Sequence, residues 1–453
     1  MNKNIFREYD LRGIYPSDIN EQTSLTIGQS FASYTNGELV IIGHDNRLSS
    51  PSLAQYLIKG LLEYGASVID LGLCTTPMYY AIKKMLGIKN GIMITASHNP
   101  KEYNGFKISF SHIGNAFGKT IEEFRDYTLK RNFIKTKPGT YQKFNDTELI
   151  YLELIKKGIK LGNRKINVVV DPGNGTSSII IKKALELFDI NYKLINEISD
   201  GNFPNHHPDP CVPENMVELG NLVKSLGYDL GIGIDGDGDR VGIVDENGIL
   251  IPIDKILIIM YKYMFPTLKK KQAIMDVKCS KAVIDEMQKI GLPLEVYRTG
   301  ASYQNNRINE LNLDFGGEFS GHLWFTDRWL GFDDGIYSGL RIIEMLSNIN
   351  ESLSTLTKQI PHYFNTPEIK LEVKEEHKDI IIQKVKAYCN QKGIKYNDID
   401  GVRIDYGDGF ALIRKSNTGP NLTLRFEKKS ENELELIKNE FIELIKKISL
   451  ELN

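Results

Sequence analysis

Three times this chain runs an apolar, strand-like segment into an aspartate-containing turn and then into an amphipathic helical pattern. That recurrence limits its possible folds more than any other feature. The instances are "ELVIIGHDNRLSSPSLAQYLIKGLLEYG", "INVVVDPGNGTSSIIIKKALELF" and "QAIMDVKCSKAVIDEMQKIG". Each reads as a β–loop–α unit of the α/β kind. Asp45, Asp171 and Asp276 hold the same place in the three, 126 and 105 residues apart. This spacing predicts a triplicated α/β domain rather than a short-period solenoid.

The C-terminal stretch is different. After "FNTPEIKLEV" a helical pattern near 375–391 precedes "GVRIDYGDGFALIRKS" and "NLTLRFE", which alternate as strands around a "GDG" turn. A last helix, "NELELIKNEFIELIKKIS", follows, and the order predicts a small antiparallel α+β domain. The polar stretches "KTKPGTYQKFND" (135–146), "DENG" (245–248) and "QIPHYFNTP" (359–367) are candidate boundaries. The expected organisation is three related mixed-sheet α/β domains, 1–144, 145–247 and 248–361, and an α+β domain, 362–453, around a central cleft. A length of 453 residues suits three or four domains better than one core.

Composition excludes several classes. The balance of 56 basic and 58 acidic residues leaves a net charge of −2, so no overall basic field recommends a nucleic-acid partner. The short basic patches at 268–271 and 445–448 read as solvated faces. No segment approaches the ~18 uninterrupted apolar residues of a membrane span. "MNKNIFREYDLRG" has no apolar signal region, which predicts a cytoplasmic protein without membrane attachment. Cys74, Cys211, Cys279 and Cys389 are scattered singly and read as reduced thiols.

The most specific local signal is "LGIGIDGDGDRVGIVDENG", where Asp235, Asp237 and Asp239 alternate with glycines at a strand end. Three crowded carboxylates repel one another unless a cation neutralises them. Oxygen-only donors point to Mg²⁺ or Ca²⁺ before zinc. An EF-hand loop is the rival, because Glu246 falls at its twelfth position, but the sixth position is Arg240 where glycine is required, and the flanks read as strands. A purely structural Asp-Gly turn is a further alternative.

Ser97, in "GIMITASHNPKEYNGFKI", is not in a GxSxG elbow. His98 is expected to point away from it, since neighbours in an extended segment face opposite sides. Alone, "SHNP" reads as a turn; beside a metal loop, Ser97 is a candidate phosphate carrier. "ALIRKSNTGPNLTLRFE" gathers Arg414, Ser416, Asn417, Thr418 and Arg425 around a Gly-Pro turn, either a polar hairpin loop or a grip for a phosphate dianion. In "GGEFSGHLWF" Glu318, Ser320 and His322 alternate as i, i+2, i+4, so an extended segment puts them on one face, a platform for sugar hydroxyls. A satisfied turn histidine is the other account of His322.

Together and in this order, these motifs resemble the α-D-phosphohexomutase superfamily, in particular its bacterial phosphomannomutase/phosphoglucomutase branch. "FREYDLRGIYP", "TASHNPKEYNGFKI", "DGDGDR", "GEFSGH" and "RKSNTGPNLTLRFE" are similar to its five signatures, and "GNFPNHHPDPCVPEN" and "GFDDGIYSGLRIIEML" also resemble that branch. The resemblance implies a phosphorylated Ser97, with Mg²⁺ held by Asp235, Asp237, Asp239 and a phosphoserine oxygen. It implies Lys107 and Arg240 as electrostatic and proton-transfer partners. Tyr9, Arg12 and Lys278 are implied to face the substrate, Glu318, Ser320 and His322 to bind the sugar, and the 414–425 cluster to grip the second phosphate. The implied activity interconverts hexose 1-phosphate and 6-phosphate, of mannose and/or glucose, through a 1,6-bisphosphate that also serves as activator, in a monomer or homodimer.

Two positions depart from that branch. Ala301, in "YRTGASYQ", stands where a histidine is common, so one proton-handling group is missing, and His322, Lys107 or Arg240 is left with more of that work. His44, in "GHDNR", stands where arginine is usual, at a site that reads as structural. The competing functions are a phosphoglucosamine mutase, which "SNT" at 416–418 in place of "SGT" argues against, a metal-dependent sugar-phosphate phosphatase, and a non-catalytic sugar-phosphate sensor.

Overall fold

The structure, a computed structural model, describes residues 1–416 and 419–452. It divides into two compact units: unit 1 comprises 1–253, 301–315 and 320–356, and unit 2 comprises 254–300, 316–319 and 357–453. Among the described residues no helix is long and apolar enough to cross a membrane.

The first sheet is built from β1 (Leu11–Ile14), β2 (Val40–His44), β3 (Val68–Leu73), β4 (Asn90–Ile94), β5 (Tyr103–Phe110) and β6 (Tyr141–Lys143), in the order β1-β5-β4-β2-β3-β6. β2 lies between β3 and β4, parallel to both, while β5 turns back antiparallel to β4. β2 and β4 are apolar almost throughout because helices cover both faces of the sheet. Helices Glu21–Tyr34 and Ser50–Glu63 start where the sequence caps them: Asn20 accepts from Thr23 N, and Pro51 takes the first turn, where its missing N–H costs nothing. They pack backbone to backbone at Gly28 and Gly60, where an added Cβ would lie 2.3 Å from Leu57 O and Leu25 O respectively. Phe31, Phe106 and Phe124 fill the core around them, each contributing roughly 1.5–3 kcal/mol by burial.

The second sheet comprises β7 (Asn167–Asp171), β8 (Asn191–Leu194), β9 (Leu230–Ile234), β10 (Val241–Asp245) and β11 (Leu250–Ile251). β7 lies parallel between β8 and β9, and β10 returns antiparallel to β9. In the third, β12 (Ala273–Asp276) runs parallel to β13 (Leu294–Tyr297) and meets β14 (Phe315–Gly317) in parallel at Met275 and Gly317; β15 (Leu323–Phe325) follows in the chain. The three sheets therefore share a middle strand between two parallel neighbours. Asp45, Asp171 and Asp276 stand at the C-terminal end of that middle strand each time. This is the triplicated α/β architecture expected from the sequence.

The last domain carries β16 (Phe364–Asn365), β17 (Ile369–Glu372), β18 (Val402–Asp405), β19 (Gly409–Lys415) and β20 (Asn421–Lys428) as an antiparallel sheet. Helices Lys378–Gln391 and Glu431–Leu452 bury Ile381, Val385, Phe441 and Ile445 against it. The α+β expectation and its turn at 407–409 hold. Two of the expected boundary stretches carry local structure of their own. "KTKPGTYQKFND" contains β6, which pairs with β3, and "DENG" is the tight turn of the β10–β11 hairpin. Polar turn residues mark a chain reversal equally well inside a sheet and between domains.

Candidate active site

Unit 1 brings the serine loop and the aspartate loop together. Ser97 follows β4 with φ +50°, a left-handed conformation that L residues adopt at a cost and that clusters at functional sites. This conformation corrects the expectation for His98. The segment is not extended there, so His98 Nδ1 lies 3.2 Å from Ser97 Oγ instead of pointing away. Ser97 is 2% exposed, and its hydroxyl donates to Asp235 Oδ2 at 2.9 Å. The two loops touch through backbone: a Cβ on Gly236 would lie 2.6 Å from Ser97 O.

A clamp holds the serine loop in this shape. Buried Arg47 donates to the carbonyls of Ser97, Asn99, Pro100 and Tyr103, at 2.8, 2.6, 2.7 and 3.0 Å, and is itself held by Asp45. Burial lowers the Arg47 pKa and the Asp45 charge opposes the shift. Asp45 was legible only as a repeat marker, and Arg47 gave no signal beyond standing two residues after it.

Asp235, Asp237 and Asp239 sit between β9 and β10, flanked by strands as the sequence required and as an EF-hand forbids. All three are buried, and their carboxylate oxygens lie within 4.8 Å of one another. Asp235 Oδ1 accepts from Gly238 N and Arg240 N at 3.0 and 3.1 Å. Asp237 Oδ2 accepts from Thr76 Oγ1 at 2.6 Å and Lys107 Nζ at 2.8 Å, and Asp239 Oδ2 accepts from Lys107 at 2.5 Å. Asp237 Oδ1 and Asp239 Oδ1 are buried with no hydrogen-bond partner among the described residues. Burying an anionic oxygen unpaired is costly. A hard divalent cation satisfies two such oxygens and the charge together, so the donor set fits Mg²⁺.

The electrostatics agree. Burial, then the charges of Asp239 and Asp237, push Asp235 well above the usual carboxylate range. Burial also pushes on Asp237, but the charge and hydrogen bond of Lys107 and the hydroxyl of Thr76 outweigh it and lower its pKa. Asp239 is raised by burial and by Asp237. Burial opposes the charge of Lys107, yet Asp237 and Asp239 hold it well above its ordinary value. His98 is pushed down by burial and by the nearby Arg240 and Arg12 charges, which keeps it neutral.

Other expected residues join this group. Arg12, on β1, donates to Asn99 Oδ1 at 2.8 Å and to Asp10 at 2.5 Å, and Tyr9 lies two residues before the start of that strand, half-buried. Arg240 Nε donates to His322 Nε2 at 2.9 Å, and His322 Nδ1 lies 2.7 Å from Asp333 Oδ2 and 3.6 Å from Asp239 Oδ1. Ser320 and His322 also belong to unit 1, but not through strand alternation. Residues 318–322 form a turn between β14 and β15 with Gly321 at φ +93°, so the shared-face argument for Glu318, Ser320 and His322 fails. Thr76 and Asp333, which the sequence reading did not single out, complete the cluster.

Unit 2 holds a second group. Lys278 is buried and pairs with Glu368 at 2.9 Å; burial opposes its charge, but Glu368, Asp276 and Glu318 keep it raised. Glu318 accepts from Gly300 N at 2.5 Å. Arg425 stacks over Phe319 at 3.9 Å, lies 3.6 Å from Asp254 and donates to Lys278 O; its Nε is buried with no hydrogen-bond partner among the described residues. Arg414 donates to Asp400 at 2.9 Å, and Ser416 lies at the end of β19, its carbonyl accepting from Lys378 at 3.0 Å. Asn417 and Thr418 lie outside the described residues.

Comparison with known proteins gives the family. The chain matches, in order, the family models "Phosphoglucomutase/phosphomannomutase, alpha/beta/alpha domain I" over 3–134, domain II over 150–248, domain III over 252–364, and the C-terminal domain over 368–444. It is 38% identical to a phosphomannomutase/phosphoglucomutase of Pseudomonas putida, over 96% of this chain and 94% of that one. It is 34% identical to a phosphoglucomutase of Neisseria gonorrhoeae, covering 97% and 96%. A crystal structure of a phosphoglucomutase/phosphomannomutase family protein from Burkholderia thailandensis superposes with a TM-score of 0.89 at 32% identity, covering 99% of this chain and 98% of that one. The chain therefore belongs to the phosphoglucomutase/phosphomannomutase family.

Proposed function

We propose that this protein is a phosphohexomutase that interconverts hexose 1-phosphate and hexose 6-phosphate, with mannose and/or glucose as the sugar, through phosphorylated Ser97 and a hexose 1,6-bisphosphate. The observation that carries the reading is the buried Ser97 hydroxyl, 2.9 Å from Asp235, beside carboxylate oxygens that lack partners. In this reading Asp235, Asp237, Asp239 and an oxygen of the Ser97 phosphate hold Mg²⁺. When bound, the ion supplies charge neutralisation to the phosphoryl group in flight.

The chain's own groups do the rest. The attacking sugar hydroxyl forms a bond to phosphorus while the bond to Ser97 Oγ breaks and leaves its electron pair on Oγ. The hydroxyl proton goes to His322 once its Nε2 is released from Arg240, and the imidazolium returns a proton to Ser97 Oγ, so that the count closes over the transfer. Lys107 and Arg240 offset the charge on the transferring oxygens. The bisphosphate then turns end for end, and the second phosphate returns to Ser97 by the same steps reversed. Positioning of this kind is worth ~7–11 kcal/mol over a bimolecular encounter.

Tyr9, Arg12, Lys278, Glu318 and Ser320 contact the sugar phosphate in this reading. Arg414, Ser416, Asn417, Thr418 and Arg425 grip the phosphate that is not reacting. A guanidinium with a buried, unpaired Nε, such as that of Arg425, is what a dianion recruits. The domain limits proposed are 1–144, 145–247, 248–361 and 362–453, with the 245–248 hairpin turn kept beside the second domain. Hexose 1,6-bisphosphate acts as activator by rephosphorylating Ser97, and the protein works in the cytoplasm.

Intact mass and phosphorus NMR on active protein test the reading, together with turnover of glucose 1-phosphate and a trace of the 1,6-bisphosphate, coupled to glucose 6-phosphate dehydrogenase. A stable phosphate on Ser97 and loss of turnover by at least about 10⁴-fold in Ser97→Ala are expected. Turnover without phosphoserine sinks the mechanism. Release of inorganic phosphate without isomer formation makes the protein a phosphatase instead.

A further inference from the structure

Six lysines of this protein are buried among the described residues, and one of them differs from the rest. Lys107, Lys278, Lys281, Lys378 and Lys428 each hold a carboxylate oxygen at 2.5–2.9 Å. Lys83 is 4% exposed, and its ammonium meets only a carbonyl, Ser111 O at 2.5 Å. A buried cation without an anion beside it is costly. Burial, and then the charge of the adjacent Lys84, push the Lys83 pKa down to about 8, so the group still carries its proton at neutral pH.

Lys83 borders a cavity of unit 1 that leaves about 390 Å³ of free space up to its open mouth. Tyr80, Lys83 and Lys84 of helix Thr76–Met85 line it, with 112–114 after β5, Asn305 and Asn309 of helix Ala301–Leu311, and 330–332. No aspartate or glutamate is among these residues. Lys84 stands at the exposed rim and donates to Leu330 O at 2.5 Å, again a carbonyl and not a carboxylate. Asn305 gives one amide N–H to Gly331 O at 3.4 Å, and Asn309 gives both of its own to Asn305. An ammonium has three N–H groups and a carboxamide two. Two on each lysine and one on Asn305 are therefore left without a partner among the described residues. Two positive charges and several spare N–H donors suit an anion with several acceptor oxygens better than a monatomic halide.

We propose that this cavity is a binding site for an oxyanion of phosphate size, held by Lys83, Lys84 and Asn305. It shares no residue with the phosphate contacts of the mutase reading. The anion supplies the negative charge that the other five buried lysines receive from carboxylates. Besides Lys84, the titratable groups that line the cavity with Lys83 are His112 and Tyr80; helix Ala301–Leu311 and 330–332 present uncharged residues to it. A bound anion favours the charged form of Lys83 and raises its pKa, so affinity falls as pH rises past about 8, where the empty site loses its proton.

Titration of the full-length protein with inorganic phosphate tests the site, read by ¹³Cε NMR of labelled lysines with the Lys83 signal assigned by its loss in Lys83→Met. Phosphate is expected to shift that signal saturably and to raise the proton affinity of Lys83 at least about tenfold, and chloride at matched ionic strength to do neither. Lys84→Met, at the rim, is expected to weaken phosphate binding at Lys83 by at least about tenfold. No response at Lys83, an equal response to chloride, or unchanged affinity in Lys84→Met overturns the inference. Crystals soaked in selenate give a second measurement: an anomalous peak beside Lys83 that is missing in Lys83→Met is expected. A cavity without selenate, or a peak that persists in Lys83→Met, overturns it as well.

Discussion

The two charged groups of this protein are balanced in opposite ways. In unit 1 carboxylates outnumber cations: Asp235, Asp237, Asp239 and Asp333 surround Lys107 and Arg240, and buried oxygens are left without partners. In unit 2 each cation has its own carboxylate, Lys278 with Glu368, Arg414 with Asp400 and Arg425 with Asp254. An excess of buried negative charge is tolerable only beside a cation, so the first group is built to be completed. A paired, stacked guanidinium is instead preorganised, its donors oriented before a dianion arrives. The first arrangement suits transfer of a phosphoryl group and the second suits holding one.

The sharpest way to break that contrast is to remove one member of the overcharged group. Asp237→Asn is expected to lower turnover by about 10³-fold or more, since it removes a proposed metal ligand and the partner of Lys107. In the unaltered protein Mg²⁺ is expected to raise the thermal midpoint, by the equivalent of about 2.7 kcal/mol at a hundredfold excess over Kd, and the same substitution should abolish that rise. Retention of turnover within tenfold would show that the charge excess has another purpose.

The balanced group should respond differently. Arg425→Met is expected to raise KM for the sugar phosphate by about 10- to 100-fold, the worth of a charge-assisted hydrogen bond, while kcat changes less. A loss confined to kcat would place Arg425 in the chemistry instead of the grip.

Gly28→Ala reaches neither group, and separates fold from site. Its Cβ would collide with Leu57 O, so a lower thermal midpoint is expected, by overpacking of about 1–3 kcal/mol, with kcat of the folded fraction unchanged. A changed kcat would mean that the packing of these two helices reaches the serine loop.

The smallest effect is expected at Asp334, whose pKa is pushed up to about 8 by burial. Between about pH 4 and pH 8 the folded chain keeps this proton and the unfolded chain has lost it. The stabilisation is therefore complete below the ordinary carboxylate value and fades as pH rises toward 8. Asp334→Asn keeps the helix cap and should flatten this part of the dependence of thermal midpoint on pH. An unchanged slope would mean that the hydrogen bonds from Tyr337 N and Tyr151 Oη hold the carboxylate ionised.

Much of this was legible in one dimension because it depends on local pattern. The repeated aspartate marked the end of the middle strand in three sheets, since the βα turn imposes its own chemistry wherever it occurs. The DGDGD run marked a crowded carboxylate cluster because its three aspartates stand two residues apart at a strand end. Failures came where pattern was extended past its premise. Period-two alternation was applied to 318–322 and to Ser97–His98, and both are turns, where φ angles of +93° at Gly321 and +50° at Ser97 redirect the side chains. Arg47 and Thr76 were illegible because their partners lie far along the chain, 50 residues away at Ser97 for Arg47 and 161 residues away at Asp237 for Thr76.

Local pattern sufficed for the α/β repeat, the α+β C-terminal domain and the aspartate trio, because each rests on residues within a few positions of one another, whereas the serine that faces the trio lies 138 residues from Asp235. Only the tertiary structure decided which oxygens are satisfied and which are not, which carboxylate stands beside His322, and that Arg47 clamps the serine loop. Those facts belong to groups brought together from distant segments and stripped of water, and hydrogen bonding and charge acquire their weight only after that burial.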